Sequence, residues 1–136
     1  MRWVVVMIVT GGHGASTSAE IIFGNGSTCA LPRLPQGRVY NSQAGLTVCG
    51  GAGPGHTQRT CATLRHGAWT TSHNLVQSRI LHESWNSPEG IILFGGRYSK
   101  RTTEILSKTA DSSKAKFSLP YDTEYERDFS FFEYLL

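Results

Sequence analysis

Three apolar runs in this chain each stop at a pair of glycines: Ile8-Val9-Thr10-Gly11-Gly12, Leu46-Thr47-Val48-Cys49-Gly50-Gly51 and Ile91-Ile92-Leu93-Phe94-Gly95-Gly96. The pairs recur at spacings of 39 and 45 residues. Self-similarity at such a period belongs to folds that copy one small unit and stack the copies. Runs of five or six residues rich in Val, Ile and Phe and bounded by glycine suit short strands.

Further registers repeat with the glycines. Eight residues beyond the second glycine stand Glu20 and Glu104, whereas the middle copy has Arg59 there. Upstream lie Arg38-Val39-Tyr40-Asn41 and Arg79-Ile80-Leu81-His82, 41 residues apart, each a mixture of apolar and polar residues that suits a half-buried strand. Between the Glu-bearing and Arg-bearing stretches come Cys29-Ala30-Leu31-Pro32 and Ala68-Trp69-Thr70-Thr71. Each period is therefore expected to hold four short strands. Asn25-Gly26 marks a hairpin, because both residue types tolerate positive φ, and Asn86-Ser87-Pro88-Glu89-Gly90 reads as a longer loop.

The 136 residues are 39% hydrophobic and 17% charged, as in a globular domain. The net charge is only +3. Lys100-Arg101 beside Arg97 is the densest basic cluster, and no basic stripe of the kind that displaces counterions from nucleic acid is visible. No apolar run is long enough to span a membrane. Residues Trp3 to Val9 read as a buried strand, with a short secretory signal cleaved near Ala15-Ser16-Thr17-Ser18-Ala19 as the other reading.

Taken together, the chain resembles the kelch-repeat family over roughly residues 3–121: a strand ending in Gly-Gly, Glu shortly after, a Trp or Leu-Pro segment, then Arg with His or Asn three residues on. Segments of the type Leu31-Pro32-Arg33-Leu34-Pro35, Cys49-Gly50-Gly51, Arg79-Ile80-Leu81-His82-Glu83-Ser84-Trp85 and Thr103-Glu104-Ile105 resemble animal kelch proteins in particular. The resemblance implies an all-β fold of kelch-type four-stranded antiparallel blades in an incomplete β-propeller, because 136 residues supply fewer than three repeats of ~50. It also implies structural roles for Gly11, Gly12, Gly50, Gly51, Gly95, Gly96, Glu20, Glu104, Arg38, Arg79, Trp69 and Trp85. The tryptophans would pack between sheets, and the arginines would cap carbonyls or pair with Glu20 or Glu104. Residues 122–136 depart from the repeat, so the expectation is a fragment or truncated product whose partner is another protein or the missing blades.

Candidate chemistry is sparse. Cys49 and Cys61 fall on neighbouring strands, where a disulfide and two buried thiols are both open readings; pairing implies an oxidising, extracellular type of compartment. Asn25-Gly26-Ser27 is a glycosylation acceptor as well as a turn. His13, His56, His66, His73 and His82 lack metal-ligand spacing, and no Cys-x-x-Cys occurs, so neither a metal nor a cofactor is expected. Gly50-Gly51-Ala52-Gly53-Pro54-Gly55 lacks the spacing and the following helix of a phosphate loop, and no Gly-x-Ser-x-Gly elbow is present. The expected function is a non-catalytic interaction scaffold. A secreted carbohydrate-binding or galactose-oxidase-like propeller is the alternative.

Overall fold

A computed structural model describes residues 6–13, 16–53, 56–97, 99–107, 113–120 and 122. The remainder of the stretch expected as a strand over 3–9, part of the signal-cleavage motif, Pro54-Gly55, and the tail beyond Asp122 lie outside the described residues. The fold is all-β, with three main antiparallel sheets. The first has β1 (Val6–Thr10), β2 (Ala19–Phe23) and β3 (Thr28–Ala30) in spatial order. The second has β4 (Ser42–Ala44), β5 (Thr47–Cys49), β8 (Thr60–Arg65) and β9 (Ala68–Asn74). The third has β10 (Glu83–Ser87), β11 (Gly90–Phe94), β12 (Thr102–Leu106) and β13 (Ser113–Ser118). A small hairpin, β6 (Ala52–Gly53) with β7 (His56–Thr57), is inserted between β5 and β8.

Two expectations need correction. The stretches Arg38–Asn41 and Arg79–His82 are not strands but connectors that lead from one sheet to the next, touched only by an isolated bridge between Val39 and Ala52. Tyr40 (φ 57°) and Leu81 (φ 56°) turn left-handed in the middle of each connector, which ends any strand there. The fourth strand comes immediately after, as β4 and β10. Asn86 and Ser87 accordingly belong to β10, and the loop expected over 86–90 shrinks to a tight turn at Pro88-Glu89. The register eight residues past the glycines also fails in the middle copy. The β6–β7 insertion delays β8, so the residue opposite Val48 is Ala62, just as Glu20 lies opposite Val9 and Glu104 opposite Leu93. Arg59 instead matches Arg101: their guanidiniums donate to the carbonyls of Leu75 and Leu119 respectively.

Turn chemistry sets the far end of each sheet. At Asn25-Gly26 only the glycine is left-handed (φ 87°), and the amide of Gly26 donates to the Phe23 carbonyl at 2.8 Å, a type I turn closed by a glycine bulge. Asn25 Oδ1 accepts from the Ser27 amide at 2.9 Å and so supports that turn. The other connection of this kind, between β8 and β9, is His66-Gly67, with φ of 51° and 78°: a two-residue turn with both residues left-handed.

Apolar side chains fill the spaces between sheets. Ala19 and Leu34 from the first sheet and its connector meet Val48, Ala62 and Trp69 of the second. Cys49, Cys61 and Leu75 meet Leu93 and Leu106 of the third. Ile92, Phe94 and Leu119 form a further cluster on the far side of the third sheet. Trp69 thus packs between two sheets, whereas Trp85 lies against the far cluster, so only one of the two expected inter-sheet tryptophans bridges described sheets. Cys49 and Cys61 face each other across β5 and β8 and form a disulfide that closes the loop carrying the inserted hairpin. A loop of this size is worth roughly 3 kcal/mol in the chain-entropy account, and the bond is compatible with an oxidising compartment. Cys29 is a free, exposed thiol.

Candidate functional site

The polar heart of the molecule lies where the connectors pass between glycine pairs. A connector's own backbone groups must be satisfied once it is buried between sheets, and the glycines provide the partners. Gly12 donates to the Arg38 carbonyl at 2.9 Å and Gly51 to that of Arg79 at 2.7 Å. On the other side Ala52 donates to the Val39 carbonyl at 2.7 Å and Arg97 to that of Ile80 at 3.0 Å. At Gly11, Gly50 and Gly96 the approach leaves no room for a side chain, whereas Gly12 has open space around it. A β-carbon would stand 2.4 Å from the Arg38 oxygen at Gly11, 2.5 Å from the Arg79 oxygen at Gly50, and 2.6 Å from the Ile80 oxygen at Gly96.

Each connector arginine then reaches back to the sheet that follows it. Arg38, 1% exposed, donates from Nη1 to the carbonyls of Gly50 (2.8 Å) and Thr60 (2.7 Å). Arg79, also 1% exposed, donates from Nη1 to the carbonyls of Gly95 (2.9 Å) and Thr102 (3.1 Å). The same Thr pair binds a glutamine two residues before each arginine, Thr60 Oγ1 on Gln36 Oε1 and Thr102 Oγ1 on Gln77 Oε1. Leu34 and Leu75 begin the two segments. The shared pattern is Leu-x-Gln-Gly/Ser-Arg over 34–38 and 75–79.

The two arginines differ in their counter-charge. Arg79 Nε pairs with Glu104 Oε2 at 2.9 Å, both groups fully enclosed. Glu104 Oε1 accepts from the Val76 amide at 2.8 Å and from the Ser113 hydroxyl. In the second sheet the corresponding positions are Ala62, Pro35 and Trp69: no carboxylate, no amide hydrogen and no hydroxyl. A satisfied polar trio is replaced there by an apolar one, which is the pairwise logic buried polar groups demand. Arg38 keeps its carbonyl contacts but its Nε has no partner. Burial lowers its pKa to about 10, so it remains a cation at neutral pH. Burial also lowers Arg79, and Glu104 opposes that shift.

His82, 1% exposed, lies at the end of the second connector with Nε2 on Ser42 Oγ at 2.8 Å. Burial and then the neighbouring Arg79 charge push its pKa down from 6.5 to about 3, against a smaller raising effect of the nearby Cys49 backbone. The folded state therefore holds His82 neutral, while the unfolded chain protonates it near 6.5. Stability is full above pH 6.5 and falls as the pH drops toward 3. The expected slope is roughly 1.4 kcal/mol per pH unit inside that window. Urea unfolding of His82→Gln against the native chain from pH 7 to 4 checks this; parallel pH profiles would contradict it.

The strand directions place the connectors and the loops after the glycine pairs at one end of all three sheets, and the tight turns at the other. Contacts tie these loops together: Gln58 Nε2 donates to the Gly37 carbonyl at 2.7 Å, Thr57 Oγ1 to Ser78 Oγ at 3.0 Å, and Ser99 Oγ to the Ser78 carbonyl at 3.3 Å. Exposed on this end are Arg33, Arg59, Arg97, Lys100 and Arg101. Tyr40 and Val76, each 47% exposed, lie among them. His13 Nε2 meets Tyr40 Oη at 2.7 Å with the rings edge to face. His73 Nε2 lies 2.8 Å from the Ser107 carbonyl. His66 and Asn25 are on turns at the opposite end, and His56 lies on β7. Among the described residues no three His, Cys, Asp or Glu side chains gather as metal ligands, and no helix is long and apolar enough to cross a membrane. Neither a known protein family nor a curated protein matches the chain.

Proposed function

We propose that this chain is a three-unit segment of a kelch-type β-propeller and acts as a non-catalytic scaffold, presenting its connector end to a protein partner with an acidic surface. The observation that carries this reading is the division of labour within each connector. Its backbone, arginine and leucine are spent on holding sheets together, while neighbouring positions such as Tyr40 and Val76 face outward. Exposed aromatic and aliphatic residues interleaved with Arg form the kind of surface that contributes most to protein binding. Five cations on the same end steer carboxylate-bearing partners toward it. The one-ended loops and the repeated glycine, arginine and glutamine contacts support the propeller reading.

A photocrosslinking residue at position 40 is expected to capture a partner, with the yield falling as salt rises and in Arg97→Glu. The same residue placed at position 66, on the turn end, is expected to capture nothing. Equal capture at the two ends, or none at either, would overturn the scaffold assignment.

A further inference from the structure

The turn between β2 and β3 carries a reactive group that the scaffold function leaves unused. The chain has four asparagines, and Asn25 alone is followed two positions on by a hydroxyl residue, with a residue other than proline between them. Asn41-Ser42-Gln43, Asn74-Leu75-Val76 and Asn86-Ser87-Pro88 lack that hydroxyl. Asn25, Gly26 and Ser27 are all exposed, as are the three residues of β3 that follow. They lie at the end of the sheet away from the connectors.

The two polar atoms of the Asn25 side chain have separate fates. Oδ1 accepts from the Ser27 amide at 2.9 Å and from Ser27 Oγ at 2.7 Å, so the turn uses the oxygen. Nδ2 has no hydrogen-bond partner among the described residues. A substituent on Nδ2 therefore leaves the turn intact. The turn draws on Asn25, on Gly26 and on the backbone of residue 27, but it does not require a hydroxyl there. An independent observation comes from the second sheet, where the Cys49–Cys61 disulfide is compatible with the oxidising compartment in which asparagine-linked glycans are added.

We propose that Asn25 is an N-glycosylation site, modified by an oligosaccharide delivered from a lipid diphosphate carrier. Nδ2 bonds to the anomeric carbon of the sugar as the bond from that carbon to the diphosphate oxygen breaks. The diphosphate leaves with the electron pair, and the transferring enzyme takes the proton that Nδ2 gives up. The glycan, bulky and hydrated, stands beside β3, an edge strand with exposed residues and the free thiol of Cys29. It hinders pairing of that edge with other chains and leaves the connector end uncovered. The inference depends neither on the kelch-type reading nor on the partner proposed for the connector end.

The test is peptide mass spectrometry on the full chain captured from cells that make it, after treatment with peptide N-glycosidase in heavy-oxygen water. The heavy-oxygen mark is expected at Asn25 and not at Asn74 or Asn86, which are exposed but lack the hydroxyl. Ser27→Ala keeps Asn25 and the amide bond to it, and should lose the mark completely while its melt matches that of the native chain. Ser27→Thr should keep the mark. An unmarked Asn25 in the native chain, whether intact or already converted by spontaneous deamidation of Asn-Gly, would overturn the proposal. A mark that persists in Ser27→Ala would overturn it too. Crosslinking at position 40 reads the opposite end, so the scaffold assignment and the glycan site fail separately.

Discussion

Replacing Glu104 with alanine is expected to destabilise the chain by roughly 3–5 kcal/mol, the largest loss from any single carboxylate among the described residues. The substitution strips its carboxylate partner from Arg79, a guanidinium that is 1% exposed and cannot reach water. It also leaves the Val76 amide without its 2.8 Å acceptor. Domains of this size are stable by only about 5–15 kcal/mol, so the urea midpoint should drop by a large fraction. Adding Arg79→Met to the alanine variant should recover part of that loss, because the orphaned charge is then gone. A change below about 1 kcal/mol in Glu104→Ala would mean that the pair is open to solvent and that the connector is not enclosed as described.

Gly50→Ala should be comparably damaging for a different reason. Its φ of 63° already disfavours a side chain, and the new carbon would meet the Arg79 carbonyl oxygen at 2.5 Å and the His82 ring at 2.7 Å. Neither neighbour can retreat: the carbonyl accepts from Gly51, and the ring is held by Ser42. A cost of about 3 kcal/mol or more follows. Gly67→Ala provides the contrast. It has a similar φ of 78° but nothing within 4 Å of the added carbon, so only the backbone term of ~1 kcal/mol applies. Chemical denaturation of the two variants side by side separates crowding from conformation; equal losses would assign the whole requirement to φ.

Much of the architecture is legible in the residues. The glycine pairs mark where the β1, β5 and β11 strands end, and Glu20 and Glu104 share one register. Two features are obscured by local composition. Arg38–Asn41 and Arg79–His82 mix apolar and polar residues as a half-buried strand does, yet a connector buried between two sheets carries the same mixture without a ladder. Only the left-handed Tyr40 and Leu81 distinguish them, and neither residue type advertises that conformation. The inserted hairpin at 52–57 hides the true register of the second sheet, so counting from the glycines lands on Arg59 rather than Ala62. The Leu-x-Gln-Gly/Ser-Arg segment, visible at 34–38 and 75–79, narrows the error without removing it: the step from Arg38 back to Glu20, taken from Arg79, reaches Cys61, one residue short of Ala62, because the β8–β9 hairpin is a residue shorter than β2–β3. The replacement of Glu104, Val76 and Ser113 by Ala62, Pro35 and Trp69 is a tertiary relation. Those residues are brought together only when sheets stack, and no local signal links them.

The central claim is that the sheets are copies of one unit stitched together by connectors lodged between glycine pairs. Native-state amide exchange at Gly12 and Gly51 tests it most directly. Neither amide belongs to a strand, and each donates only across a sheet boundary, to the Arg38 and Arg79 carbonyls. Both should exchange as slowly as the Val48 and Leu93 amides in the central strands, and should lose protection in step with them as denaturant is added. Fast exchange at both glycines, with the strand amides still protected, would mean that the sheets fold without the connectors and would contradict the account.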